Sequence, residues 1–198
     1  MTWNHNFCIA LYVLFISLSA CRPSEPVPKP KGYFKIDLPT HQYRQFDSAH
    51  YPFTFAYPVY GHITRDTNLL SDEGAAYWLN VDIPELNATI YLSYKAINQE
   101  YPLARLVDES YRLSYAHDVK ADYIKTPQIV TDQGLIGVYY NVGGNAASSY
   151  QFFVTDTLQH FLRGALYFNV TPNMDSLKPA ANFLKEDMEH LIHTLKFK

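Results

Sequence analysis

The sequence predicts an α+β domain: a mostly antiparallel sheet of about seven or eight strands with two helices packed on it. Three observations point there. Aromatic content is 16%, with Tyr 17 and Phe 12, which suits half-buried sheet surfaces. Short alternating segments are joined by turns of Gly, Asn, Asp and Pro. Only two stretches carry a 3.6-residue period.

The strands are read in chain order. Tyr51 to Tyr57 alternates aromatics, and Pro52 suits a strand start or an edge. Tyr60 to Asp66 follows Pro58 closely and is expected to return as a hairpin. Tyr77 to Ile83 and Ala88 to Ile97 flank Pro84-Glu85-Leu86-Asn87, a turn sequence. Four later segments form a meander. They are separated at Asp132-Gln133-Gly134, at Gly143-Gly144-Asn145 and at Thr155-Asp156-Thr157.

The first helix is expected over Leu103 to Lys120, with Leu103, Leu106, Val107, Tyr111 and Ser114 on one face. The second is expected over Ser176 to Lys196, carried by Leu177, Ala181, Leu184, Met188, Leu191 and Leu195. Asp175 or Ser176 is the expected cap, Pro179 falls in the first turn, and Lys196 favours the dipole near the end. This order resembles the PsbP/Mog1-like sandwich.

The start of the chain has a different character. Phe7 to Ala20 is an apolar run of roughly 14 residues, the length of a secretory signal core and short of a bilayer span. Leu18-Ser19-Ala20-Cys21 resembles a bacterial lipobox, in which the cysteine thiol is acylated and the chain is cut before it. Pro23, Pro26, Pro28 and Pro30 follow, favouring an extended path of about 3.1 Å per residue. Residues 22–31 would therefore hold a domain roughly 30 Å from a membrane. The organisation expected is a lipoprotein signal peptide at 1–20, a lipidated Cys21 with a proline-rich tether at 21–31, and the globular domain at 32–198.

Composition narrows the function. Hydrophobic residues at 47% and charged residues at 18% predict a packed core. A formal charge of −3 with interspersed signs predicts no nucleic-acid partner. The other cysteine, Cys8, leaves with the signal peptide, so no disulfide and no cysteine-based metal site is expected in the mature domain. The sequence holds no Gly-x-Ser-x-Gly elbow, phosphate loop or dinucleotide fingerprint, so no catalytic residue is nominated and the chain reads as a non-enzyme without cofactor. His190 and His193, with Glu186 one turn earlier, have metal-ligand spacing, but no further ligand is visible and a solvated helix face explains them.

The segment from Val154 to Val170 is the most pointed. Read as one strand, it puts His160, Leu162, Gly164, Leu166 and Phe168 on one face and Phe161, Arg163, Ala165 and Tyr167 on the other. Arg163 then lies among aromatics, open to cation–π contact or a carboxylate partner, or simply shielding the rings. Gly164 permits a bulge or a close backbone approach. The candidate partner-contact residues are Tyr33, Asp156, His160, Arg163 and Tyr167; Cys21 is the candidate lipidation site.

Several of these blocks together resemble the gliding-motility lipoprotein GldD family of Bacteroidetes. They are Pro28 to Pro39, Tyr51 to Tyr57, Tyr77 to Lys95, Phe152 to Phe168 and Leu184 to Phe197. The likeness runs from Cys21 to the end of the sequence. It implies an envelope lipoprotein required for gliding and linked to type IX secretion, with protein partners in that machinery. The five residues after Cys21 hold one acid, Glu25, at best a partial surface-export signal, so the periplasmic face of the outer membrane is the expected place. The likeness brings no catalytic residues. The competing reading is a membrane-tethered ligand- or glycan-binding module.

Overall fold

Two nine-residue strands lie side by side at the middle of the molecule's larger sheet. They are β5 (Ala88–Ala96) and β10 (His160–Phe168), antiparallel, with His160 opposite Ala96 and Phe168 opposite Ala88. This computed structural model describes Phe7, Ile9, Tyr12, Gly32, Tyr33, residues 35–65 and residues 77–198. Phe7, Ile9 and Tyr12 are helical. Lys35–Lys198 forms a unit of its own.

The remaining elements are β1 (Tyr43–Asp47), β2 (Phe53–Pro58), β3 (His62–Thr64), β4 (Leu79–Ile83), α1 (Leu103–Tyr115), β6 (Ala121–Lys125), β7 (Gln128–Val130), β8 (Ile136–Gly144), β9 (Tyr150–Thr155), α2 (Met174–Thr194) and β11 (Lys196–Phe197). The larger sheet runs β3-β4-β5-β10-β9-β8-β6, with β7 also on β8. The smaller sheet runs β1-β2-β11. Every pairing is antiparallel. The domain is α+β, as the alternation and turns predict.

The main core lies between the larger sheet on one side and α2 with the smaller sheet on the other. Leu79, Val81 and Ile83, then Ile90 and Leu92, then Phe152 and Val154, then Leu162 and Leu166 alternate onto that face. They meet Leu184, Met188 and Leu191 of α2 and Phe53 and Phe55 of β2. Each fully buried side chain of this kind contributes about 1.5–3 kcal/mol. The opposite face carries a smaller cluster, Leu106, Tyr140, Phe153 and Phe161, under α1.

Local expectations fail in instructive places. β2 and β3 do not form a hairpin. β2 is flanked on both edges by β1 and β11, so β3 pairs with β4 instead. A turn closed by the Gly61 N–H on the Pro58 carbonyl, 2.9 Å, carries the chain from one sheet to the other. The stretch Asp122 to Thr131 is not one strand. Thr126-Pro127 breaks it into β6 and β7, which pair with different halves of β8. α1 stops at Tyr115, ahead of a separate 3₁₀ turn at Asp118–Lys120. α2 begins at Met174 with Asn173 as cap residue, not at Asp175 or Ser176. The Asn145 side chain accepts the Met174 N–H at 2.9 Å, so the helix start is supplied by a distant loop. Pro179 consequently lies inside the helix, and Lys196 has left it for β11.

Candidate functional site

The turn before β10 is built around Asp156. Its Oδ1 accepts the backbone N–H groups of Leu158, Gln159 and His160 at 3.0, 3.0 and 2.9 Å. Burial acts to raise its pKa, but these three donors outweigh it and hold the carboxyl below its ordinary range. The cluster stabilises a turn in which Thr157 adopts φ 67°. His160, the first residue of β10, stacks on Phe197 at 4.8 Å, and its Nδ1 lies 2.7 Å from the Tyr94 hydroxyl. Burial lifts Tyr94 to about 12. Asp156 and His160 are thus engaged within the fold.

Arg163 and Tyr167 lie on the opposite face of β10. Arg163 finds neither a ring nor a carboxylate as direct partner among the described residues; its Nη2 donates to Oε1 of Gln151. The Ser114 hydroxyl donates to that same oxygen at 3.1 Å, and both Ser114 and Gln151 are fully buried. Burial pushes the Arg163 pKa down. Gly164 forms no bulge, since pairing on both sides of it is continuous. It makes room for a ring: a Cβ there would lie 2.2 Å from Cε1 of Phe152. Tyr167 meets Tyr91 edge to face at 5.7 Å, and its hydroxyl lies 3.4 Å from Nε2 of His117. Tyr33 is exposed and belongs to the other unit of the chain. The candidate set is therefore spread over two faces of the larger sheet and a separate unit.

Two cavities flank the larger sheet. One, about 520 Å³, is lined by the β6–β7 connection, by Tyr139 and by Lys185, Glu189 and His193 of α2. Of its two lysines, Lys185 is paired with Glu189 at 2.9 Å and Lys125 lies over the Tyr123 ring at 5.1 Å. The other, about 250 Å³, lies between α1 and the outer face of β4, β5 and β10, and Arg163 lines it.

One polar cluster was not foreseen. Asp187 of α2 has no solvent exposure. Its Oδ1 accepts from Nδ1 of His41 at 2.7 Å and from the Tyr43 hydroxyl at 3.0 Å, and its Oδ2 accepts from the Tyr60 hydroxyl. Nε2 of His41 faces Glu186 at 3.1 Å. Rings clamp the arrangement: Tyr43 on His190 at 3.6 Å and His41 on Phe183 at 4.1 Å. Burial, reinforced by Asp187, raises both phenols well above their ordinary value. Burial lowers His190. Both ring nitrogens of His41 face carboxylates, which fixes the orientation of the ring. The cluster fastens the start of the domain to α2. A signal existed in the sequence: Asp187 falls three residues after Leu184 and four before Leu191, inside the apolar stripe rather than opposite it. Among the described residues no group of three or more His, Cys, Asp or Glu side chains is arranged to hold a metal ion, and His190 is stacked on Tyr43.

The family described as gliding motility lipoprotein GldD matches residues 23–197. The chain belongs to that family. No curated protein matches it. A solved structure similar to this GldD-family chain is the cyanobacterial PsbP of Synechocystis sp. PCC 6803, at 13% identity and TM-score 0.46, covering 86% of this chain and 100% of that one. Membership makes the chain an envelope-associated gliding-motility lipoprotein. No helix among the described residues is long and apolar enough to cross a membrane. The expected acyl site of this GldD-family chain, Cys21, and the prolines after it lie outside the described residues.

Proposed function

We propose that this chain is a non-catalytic accessory subunit of the gliding and type IX secretion machinery. It is acylated at Cys21, spaced from the bilayer by the proline segment 22–31, and held on the periplasmic face of the outer membrane. The observation that carries this reading is the family match, which covers both the tether and the folded unit. The lipobox at Leu18 to Cys21 supports it, because several acyl chains give stable anchoring at about 0.8 kcal/mol per buried methylene. Several titratable residues of the domain have internal duties. Asp156 holds a turn, His160 pairs with Tyr94, and His41 is held between two carboxylates. What the outer face offers a protein partner is aromatic surface, with Tyr91 42% exposed beside Tyr167.

The test is made in a gliding, secreting host. Cys21→Ser is expected to abolish fatty-acid labelling, to release the protein from the membrane fraction, and to impair motility and secretion. A photocrosslinker at Tyr91 or Tyr167 is expected to capture envelope proteins of that machinery. Unlabelled wild-type protein, or a deletion strain that glides and secretes normally, overturns the proposal.

A further inference from the structure

Two side chains that line the smaller cavity carry buried donors without acceptors. Its floor is the outer face of β4, β5 and β10, and its wall is α1. Nε of Arg163 and Nε1 of Trp78, both lining it, are buried with no hydrogen-bond partner among the described residues. Buried polar groups are ordinarily paired, and a guanidinium in a partly buried site is costly without a compensating anion. The oxygen that Arg163 does reach already accepts from Ser114, leaving Arg163 no carboxylate of its own. Lys95 adds a second cation at the same cavity, positioned over the rings of Trp78 at 5.6 Å and Tyr101 at 4.6 Å. Against these two stands one acidic lining residue, Glu109. The cavity is therefore net positive and rich in donors.

The rest of the lining describes what carries the anion. Trp78 and Tyr91 supply aromatic surface, while Asn80 and Ser93 supply neutral polar groups suited to hydroxyls. The volume, about 250 Å³, falls below the range of drug-sized sites, about 300–1,000 Å³, so one ring with its substituents fits better than a chain. We propose that this cavity binds a carboxylated sugar ring of the uronic-acid class. Its carboxylate faces Arg163 and Lys95, its apolar face lies on Trp78, and its hydroxyls meet Asn80 and Ser93. This inference rests on the cavity's own geometry and stands apart from the motility role.

The experiment uses the full chain in detergent, titrated with glucuronate and followed by calorimetry and tryptophan fluorescence. Glucuronate is expected to bind saturably and glucose not at all over the same range. Arg163→Gln is expected to weaken binding about tenfold or more, the loss typical of a charge-assisted hydrogen bond. Lys95→Gln, which leaves the Arg163–Gln151 contact intact, is expected to weaken it several-fold and carries the test if Arg163→Gln does not fold. Absence of saturable glucuronate binding overturns the proposal. So do equal responses to glucose and glucuronate, or unchanged affinity in the folded variants. A short peptide with a free terminal carboxylate that binds where glucuronate does not would overturn the carbohydrate assignment.

Discussion

Nδ1 of His41 lies 2.7 Å from the carboxylate of Asp187, 146 positions further along the chain. The same carboxylate holds the hydroxyls of Tyr43 and Tyr60. Removing it leaves three half-buried donors without this acceptor. Asp187→Ala is expected to cost about 3–5 kcal/mol. Asp187→Asn preserves volume but sets an amide N–H against donors, so it also destabilises. Denaturant midpoints at constant m-value check both, and a loss under about 1 kcal/mol for the alanine variant would contradict the role assigned to the cluster.

Gly164 and Gly137 both tolerate no side chain, for different reasons. A Cβ at Gly137 would lie 1.9 Å from the Phe153 carbonyl oxygen, so the β8–β9 backbone itself would have to move. A Cβ at Gly164 meets the Phe152 ring, which is fully buried. Gly164→Ala is expected to cost about 1–3 kcal/mol and Gly137→Ala more, as thermal melts of the two variants would report.

Asp156 accepts three backbone N–H groups from a half-buried position in a turn. Solvent screens part of the effect, so Asp156→Ala is expected to cost about 1–2 kcal/mol. Asp156→Asn keeps an acceptor oxygen and should lose less. Equal losses would mean that the acceptor is not what matters.

Stability should fall on both flanks of neutral pH. His190, faced by Asp187, His193 and His41 and stacked on Tyr43, is lowered by burial. His117, faced by Arg163 and Tyr167, is lowered likewise. The unfolded chain takes up these protons near 6.5, before the folded chain does, so their contribution is present above 6.5 and lost as pH falls through the depressed values. On the alkaline side Tyr94 is raised to about 12 from 10.0, and Tyr43, Tyr60 and Tyr139 are raised as well. Their contribution is complete below 10.0 and lost as pH rises through the folded values. A Tm unchanged from roughly pH 8 down to roughly pH 5 would contradict the acid arm.

Periodicity made most of the fold legible. β4 and most of β5 alternate because one face meets the main core, β9 is buried at every position because both of its faces are covered, and the stripe of α2 repeats because it covers the main core. β1 and β11 carried no such signal. The first, Tyr-Arg-Gln-Phe-Asp, is mostly exposed, and the second is two residues long. Without them β2 had two free edges on paper, and a hairpin with β3 was the natural expectation. The face assignment along β10 was legible, including Arg163 opposite His160. Its partner was not: Gln151 lies on the neighbouring strand, and its meeting with Ser114 is set by how α1 lies on the sheet. The Asp187 cluster was hidden for the same reason, since Tyr60 is 127 residues away in the chain.

The smaller sheet is closed by ends that are made far apart in time. β2 is bordered by residues 43–47 on one side and by Lys196–Phe197 on the other, and Lys198 ties back to Asp47 across 151 positions at 2.8 Å. During synthesis the early edge must wait for almost all the intervening polypeptide before its counterpart arrives. The edge of β2 that faces β11 therefore stays unpaired until residues 196–197 are in place.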